Sequence, residues 1–278
     1  MKRLLIITAI LVLPFCGRTQ TDVNLDPELG GRLAVSVDKK VARGLHINLE
    51  EEVRYDNDFS SFNRFHTTLG ANYKVLPYLK LGLGYALINL YDDSLSTFKY
   101  PRHRLYFDLT GSHRFGDWQL SLKERVQVTH RTGSFNPYQN PRNAVALKSR
   151  LKLAYKGFRR WEPYASIEVR NTLNAPVINA IYNEATNSWG YYDDDVFTTK
   201  GAPGWFLNGF KGVYVNRLRG TLGVDYRINR HNTVELYLMG DRTIDKVVDA
   251  SGKGKKLKSY TSEKGFTGWL CANYSYSF

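Results

Sequence analysis

The stretch of sequence that decides the fold is RLRGTLGVDYRI, residues 217–228. Its even positions carry Leu218, Gly220, Leu222, Val224, Tyr226 and Ile228. Its odd positions carry Arg217, Arg219, Thr221, Gly223, Asp225 and Arg227. A helix would spread these charges around its axis, whereas a strand places all of them on one face. The stretch therefore predicts a β-strand with one apolar and one charged face.

The same alternation recurs along the chain and in the last residues. It covers 44–55, 63–75, 78–89, 102–115, 117–130, 143–156, 163–173 and 233–244, with a shorter segment at 30–37. Most of these segments exceed the ~5–6 residues usual in soluble sheets and match the ~9–11 residues of a membrane-spanning strand. Short and long connections alternate between them, as periplasmic turns and outer loops do in outer-membrane barrels. The pattern predicts an all-β fold, a transmembrane antiparallel up-and-down β-barrel of 10–12 strands.

The strand count poses a question of parity. The alternation yields eleven segments, but bacterial barrels have an even number of strands. We therefore expect 10 or 12 strands, with segment 30–37 falling short of a full strand or one strand overlooked. Glu51 and Glu124 fall on the lipid-facing side of the pattern, and we expect a bulge or a register shift to turn them inward.

Residues 1–20 have the pattern of a secretory signal peptide. Lys2 and Arg3 precede an apolar run from Leu4 to Phe15, and a more polar stretch follows. This run is too short for a spanning helix. A lipoprotein signal at Cys16 is the alternative, although Pro14 and Phe15 stand where that motif has small residues. We predict export to the bacterial outer membrane after cleavage, with residues 21–278 forming the barrel.

The chain ends in an aromatic residue that continues the alternation. Phe278, Tyr276 and Tyr274 follow one another in steps of two. Outer-membrane barrels carry such a terminal strand as a signal for insertion. These three residues are therefore the predicted assembly signal, and the barrel-assembly machinery is the predicted partner during biogenesis.

The net charge of +13 falls to +10 without the cations of residues 1–20. No helix-turn-helix, zinc-finger or RNA-binding signature accompanies this charge, so nucleic acid is not an expected partner. Many cations lie on the predicted inward face, and Asp108, Glu168, Asp225 and other carboxylates are available to pair with them. The predicted basic cluster of the lumen is Arg102, Arg104, Arg114, Lys123, Arg125, Lys148, Arg150, Lys152, Arg217, Arg219 and Arg227. Such a lumen is either closed by ion pairs or holds a narrow passage that favours anions.

Catalytic and metal-binding motifs are weak in this sequence. The candidates for a serine-hydrolase site are His66, His103, His113 and His130, yet neither a GxSxG nor a His-x-Ser pattern is present. Asp193–Asp195 form an acidic run in a long loop, which more often is solvated than a calcium site. We predict no catalytic residues, no metal and no cofactor.

The long connection 174–212 is the predicted place of contact with any ligand, because loops on rigid scaffolds carry function. Its aromatic residues are Trp189, Tyr191, Tyr192 and Trp205. They are candidate binding residues, or they fold the loop over the barrel mouth.

Several stretches resemble a family of uncharacterised bacterial outer-membrane proteins, domain of unknown function 2490. They are LHINLEEEVRYDND (45–58), FNRFHTTLGANYKVLPYLKLGLGY (62–85), HRLYFDLTGSHRFGDWQLSLKERVQ (103–127) and LRGTLGVDYRINRHNTVELYLMGD (218–241). The resemblance covers most of residues 28–278. It implies an outer-membrane location and a barrel fold, and it supplies no catalytic residues.

These observations predict a non-enzymatic outer-membrane barrel surrounded by outer-membrane lipid and lipopolysaccharide. It is either a narrow anion-favouring pore or a structural or binding barrel. Two alternatives stay open: a barrel enzyme that modifies lipid or lipopolysaccharide, which clustered Ser and His residues at one mouth would favour, and a soluble periplasmic β-protein that binds a ligand, which polar residues on both strand faces would favour.

Overall fold

The computed structural model describes residues 21–93, 95–178, 180–183, 188–191, 207–250 and 257–278. The predicted signal peptide, residues 1–20, lies outside this part of the chain. All elements described are strands: β1 (Thr21–Asn24), β2 (Glu28–Ala42), β3 (Leu45–Asp56), β4 (Ser61–Leu76), β5 (Leu79–Asp92), β6 (Thr97–Phe98), β7 (Arg102–Phe115), β8 (Trp118–Arg131), β9 (Asn143–Tyr155), β10 (Trp161–Ile178), β11 (Ala180–Asn183), β12 (Ser188–Tyr191), β13 (Leu207–Arg227), β14 (Asn232–Ala250) and β15 (Leu257–Ser277). In the described ranges no helix is long and apolar enough to cross a bilayer.

Eleven long strands close into a barrel within the described residues. They pair in the order β2-β3-β4-β5-β7-β8-β9-β10-β13-β14-β15, and each of these neighbours is antiparallel to the next. The barrel closes where β15 pairs with β2, from Thr267↔Glu28 to Ser277↔Asp38. The predicted all-β barrel fold is thus confirmed.

The seam between β2 and β15 is parallel. An up-and-down chain of an odd number of strands must bring its first and last strands together in the same direction. The expectation of 10 or 12 strands was therefore wrong. Segment 30–37 is the middle of the full strand β2, and β1 extends the same seam by pairing with Thr261–Lys264 of β15.

The barrel is apolar outside and polar inside, the inverse of a soluble protein. Leu222 keeps 65% of its surface exposed and Leu83 keeps 62%, whereas Glu52 and Gln127 keep 2% each. Large exposed apolar side chains recur on every strand of the wall. An outer surface of this kind needs lipid to cover it, so the polar-on-both-faces pattern of a soluble ligand binder is absent.

The two ends of the barrel differ in their connections. Residues 43–44, 77–78, 116–117, 156–160 and 228–231 form short connections at one end. Gly44 and Gly116 adopt positive φ values of 80° and 59° in two of the three two-residue turns, a conformation that glycine reaches without steric cost. The long connections lie at the opposite end, where β10, β13, β14 and β15, of 18 to 21 residues, rise beyond the other strands.

Aromatic side chains gather at the short-turn end. Trp118 stacks edge-on with Tyr155 at 5.0 Å, and Trp161 lies 4.4 Å from Tyr226 between ring centroids. Tyr78 and Phe115 are exposed at the same end. Amphipathic rings at one level of a barrel are typical of a membrane–water interface.

Glu51 and Glu124 stay on the outward face. Glu51 accepts a hydrogen bond of 2.9 Å from the Thr67 hydroxyl, and Glu124 accepts one of 2.6 Å from Ser149. No bulge lies beside them in the strand pairings. The expectation that a register change turns them inward was wrong, because a neighbouring strand supplies each carboxylate with a hydroxyl donor.

Candidate functional site

Two cavities lie inside the barrel along its axis. The central cavity, of about 350 Å³, is lined by eight Lys and Arg side chains and four carboxylates. The second cavity, of about 540 Å³, opens toward the long loops and is lined by eight Lys and Arg side chains and three carboxylates. We call the second cavity the vestibule. Arg54 and Arg219 line both cavities, so the two meet at these side chains.

Strand pairing sets cations side by side on one wall of the lumen. Arg125 of β8 pairs with Lys148 of β9, which pairs with Arg170 of β10, which pairs with Arg217 of β13. We call these four residues the cation row. The next inward row, Lys123, Arg150, Glu168 and Arg219, contains one carboxylate. Period-two alternation on four adjacent strands thus builds a continuous basic wall.

Carboxylates neutralise only part of this charge. Asp108 accepts two hydrogen bonds from Arg125, of 2.6 and 2.7 Å, and contacts Lys123 Nζ at 2.7 Å. Glu168 contacts Arg217 at 2.7 Å. Asp241 binds Arg219 in a bidentate pair of 2.5 and 2.6 Å. Bidentate pairs of this kind hold a guanidinium in one orientation.

A second ionic cluster lies across the lumen on β2, β3 and β4. Glu52 contacts Arg32 and lies 2.6 Å from Arg54 Nε and 3.4 Å from His66 Nδ1. One carboxylate therefore serves two guanidinium groups. Together with the Asp108 cluster it crowds the centre of the barrel with ordered ionic side chains.

The short-turn end of the lumen holds a third ionic cluster. Glu162 contacts both Lys156 and Arg227, and Lys152 Nζ lies 3.8 Å from Asp225. Lys156 lies in the turn beyond the spanning strands, where burial lowers the pKa of its ammonium group. Lys152 also lies over the ring of Tyr164, 3.5 Å from its centroid.

The structure places most of the sequence-predicted basic cluster in the lumen. Arg104, Lys123, Arg125, Lys148, Arg150 and Arg219 line the central cavity, and Arg102 and Arg217 line the vestibule with Arg219. Lys152 and Arg227 belong to the short-turn cluster. Arg114 lies apart, exposed at the short-turn end, where its Nε donates to the Gly116 carbonyl at 3.0 Å.

The inward cations Arg32, Arg54, Arg131 and Arg170 are not among the sequence-predicted residues of the lumen. For two of them, spacing by two residues from an inward carboxylate was the available signal. Arg170 follows Glu168 by two positions, and Arg54 follows Glu52 by two. Arg32 was missed because its segment was treated as an incomplete strand.

The residues of the predicted assembly signal lie along the seam and beside it. The Phe278 amide donates to the Asp38 carbonyl and the Lys40 amide donates to Phe278, both at 3.0 Å. Tyr276 lies 5.8 Å from Phe278 between ring centroids. The Tyr274 hydroxyl donates to Asn232 Oδ1 on β14.

The predicted loop contacts fall largely outside the described residues. Trp189 and Tyr191 belong to β12, which pairs with β11 in a small hairpin, and only their backbone is described. Tyr192 and Trp205 lie outside the described residues, as does the acidic run Asp193–Asp195.

The candidate histidines do not form a triad with a serine in the described part of the chain. His66 faces the lumen and contacts Glu52. His103 accepts or donates a 2.6 Å hydrogen bond with the Tyr85 hydroxyl, and His130 bonds to Asn143 at 2.7 Å. His113 pairs with Leu120 across the β7–β8 hairpin. The geometry described thus assembles cations and carboxylates rather than a nucleophile and its base.

Fold and lumen define a membrane-spanning β-barrel with a predominantly cationic interior. A family model described as "Protein of unknown function (DUF2490)" matches residues 33–249, and the chain belongs to this family. No curated protein sequence matches the chain.

Solved structures with a similar fold are barrels of low sequence identity. One is described as the NanC porin in a rhombohedral crystal form, with 10% identity, a TM-score of 0.41, and coverage of 90% of this chain and 99% of that chain. Another is the outer-membrane expressed OmpT of Vibrio cholerae, with 12% identity and a TM-score of 0.33. That match covers 78% of this chain and 60% of the OmpT chain.

Proposed function

We propose that this protein is a non-enzymatic outer-membrane barrel whose lumen takes up and passes small anions. The observation that carries the proposal is the excess of cations over carboxylates around both cavities. Rings of fixed charge in a narrow lumen set the sign of the ions that enter, and low-dielectric walls strengthen that field.

The outer membrane is the location that this architecture fits. A closed barrel satisfies its backbone hydrogen bonds inside lipid, and bacteria place such barrels in the outer membrane. We place the short turns in the periplasm and the long connections at the cell surface, as in other barrels of this kind. Outer-membrane lipid and lipopolysaccharide then surround the apolar band, and the barrel-assembly machinery inserts it.

Two features support transport or binding over catalysis. The charged groups of the described lumen are joined mainly in ion pairs, and no Ser–His hydrogen bond is found among the described lumen residues. Residues of the long connections line the vestibule, so its charge faces the side of the barrel that we place at the cell surface.

Planar-bilayer conductance of the refolded protein in asymmetric potassium chloride tests the proposal. We expect conductance steps with a reversal potential that favours chloride. Steps that favour potassium would contradict an anion passage, and a silent bilayer at all voltages would leave only a closed binding barrel.

The vestibule supplies a variant for the same measurement. Arg102 pairs with Arg131 across β7 and β8, and both line the vestibule without a described carboxylate partner. We expect Arg102→Glu to shift the reversal potential toward potassium, because it reverses a lumen charge while giving Arg131 a partner. Arg159→Glu, in the exposed 156–160 turn, is the matched control and is expected to leave the reversal potential close to that of the unaltered protein.

A further inference from the structure

The cation row has a charge arrangement that the chain itself does not balance. Directly opposed residues on adjacent strands have Cβ atoms ~4.5–5.5 Å apart, and like charges in such positions repel. Here four cations follow one another across four strands. A folded barrel tolerates this only where countercharge lies within reach.

Direct ion pairs with carboxylates form at the two ends of the cation row but not at its middle. Arg125 is held by Asp108, and Arg217 is held by Glu168. Lys148 and Arg170, the middle pair, have no carboxylate within ion-pair distance in the described chain, although Glu168 attracts both cations at longer range and Asp245 attracts Arg170. Two adjacent cations therefore lack a direct ion pair on one wall of the lumen and are compensated only in part.

Hydrogen-bond donors are also left over at this place. The Nε atoms of Arg170 and Arg217 are buried and have no partner in the described ranges. Arg217 exposes only 12% of its side chain, so bulk water does not supply the missing hydrogen-bond acceptor. A buried donor without an acceptor costs free energy, and an oxyanion in the lumen supplies acceptors and charge together.

A further cation, Arg104, lies close to the middle of the cation row. Arg104 of β7 bonds only the Thr129 hydroxyl, at 3.1 Å, among described groups, and it lies close enough to Arg170 for their charges to repel. Lys148 lines the central cavity, whereas Arg170 and Arg217 line the vestibule. The middle of the row therefore lies where the two cavities meet.

We propose that Lys148 and Arg170, flanked by Arg104 and Arg217, bind a small doubly charged oxyanion such as a phosphate monoester or a dicarboxylate. This inference rests on the proposed anion-accepting lumen and names its substrate class. Two adjacent cations without direct ion pairs match a dianion, whereas a monovalent ion contacts only one of the two charges fully. Guanidinium groups bind phosphate and carboxylate oxygens through paired N–H donors.

Isothermal titration calorimetry of the refolded barrel in detergent tests the site without requiring conductance. The first probe is inorganic phosphate in mildly alkaline chloride buffer, where phosphate is mainly dianionic. Succinate tests whether the site accepts two separated carboxylates, and acetate is the monovalent control. We expect saturable heats with phosphate or succinate and none with acetate at the same concentration.

Arg170→Gln is the main variant, since it removes the charge and keeps a polar side chain. We expect it to weaken dianion binding about tenfold or more, the size of one lost charge-assisted contact. Lys148→Met is a second variant with the same expected loss, for use if the first does not refold. Arg159→Gln, in the exposed 156–160 turn, is the control and is expected to retain affinity within about twofold.

The outcomes separate the site from the function on which it rests. Absence of saturable phosphate and succinate binding in an anion-selective barrel would overturn the site and leave the proposed function standing. Dianion binding in a barrel that conducts cations would overturn the proposed passage and keep the site. Equal affinity in the Arg170→Gln, Lys148→Met and unaltered proteins would place binding elsewhere and also overturn the site.

Discussion

At the scale of single residues, Glu52 is a buried lumen carboxylate that compensates the charge of two guanidinium groups. Its side chain is 2% exposed, contacts Arg32 and Arg54, and faces His66. Neither guanidinium has another carboxylate as near, since Glu50 lies 3.9 Å from Arg32. This one carboxylate therefore compensates a local excess of buried positive charge.

Glu52→Gln is expected to destabilise the folded barrel by about 3 kcal/mol, because breaking a buried pair leaves charge uncompensated. The measurement is the urea midpoint of the refolded protein, followed by the electrophoretic shift between folded and unfolded forms. Glu28→Gln, at the exposed start of β2, is the matched control. A midpoint that does not move for Glu52→Gln would mean that water or bound anions already screen the cluster.

At the scale of elements, the seam between β2 and β15 is the feature that completes the barrel. It is the one parallel pairing between the long wall strands described, and the Phe278 backbone extends it by two hydrogen bonds. The Phe278 ring also lies under Lys39 Nζ, 4.9 Å from the ring centroid. Phe278 thus stabilises the pairing of β15 with β2 that closes the barrel.

Deleting Phe278 is expected to lower the amount of folded protein in the outer membrane, because it removes both the terminal aromatic and the last contacts of the seam. The readout is the heat-modifiable band in the outer-membrane fraction. Lys39→Met removes the cation over the ring and keeps the terminal residue, so it separates the two contributions. Undiminished folded protein after the deletion would argue against an assembly role for Phe278.

At the scale of the whole molecule, the odd number of strands places the two ends of the barrel chain on opposite sides. β2 and β15 run in the same direction, so the break at 25–27 before β2 lies at the long-loop end and Phe278 lies at the short-turn end. A barrel with an even number of strands would bring both to the same side.

This topology predicts opposite accessibility for Asp26 and Arg230, both of which are exposed. We expect Asp26→Cys to react with a membrane-impermeant maleimide in intact cells. Arg230→Cys, in the 228–231 turn, is expected to react only after the outer membrane is permeabilised. The native Cys271 is buried, so labelling of the unaltered protein measures the background reaction. Labelling of both variants in intact cells, or of neither, would contradict the parallel seam.

The sequence by itself determined the strands and the direction in which their side chains point. Period-two alternation placed Arg217, Arg219 and Asp225 on one face because side-chain direction in a strand depends only on local backbone geometry. The same local rule assigned Lys148 and Arg150 to the lumen before any strand was paired. Noise in the alternation hid Arg170, and Arg32 was missed because its segment was interpreted as an incomplete strand.

Only the tertiary structure decided the parity of the barrel and the partners of each charge. Closure by a parallel seam depends on pairing between residues about 240 positions apart, which no local pattern encodes. The cation row exists because the registers of three strand pairings align Arg125, Lys148, Arg170 and Arg217. Register shifts such as the bulge between Arg170 and Asn171 set which charges meet, because cross-strand neighbours are fixed by the pairing of whole strands and not by sequence distance.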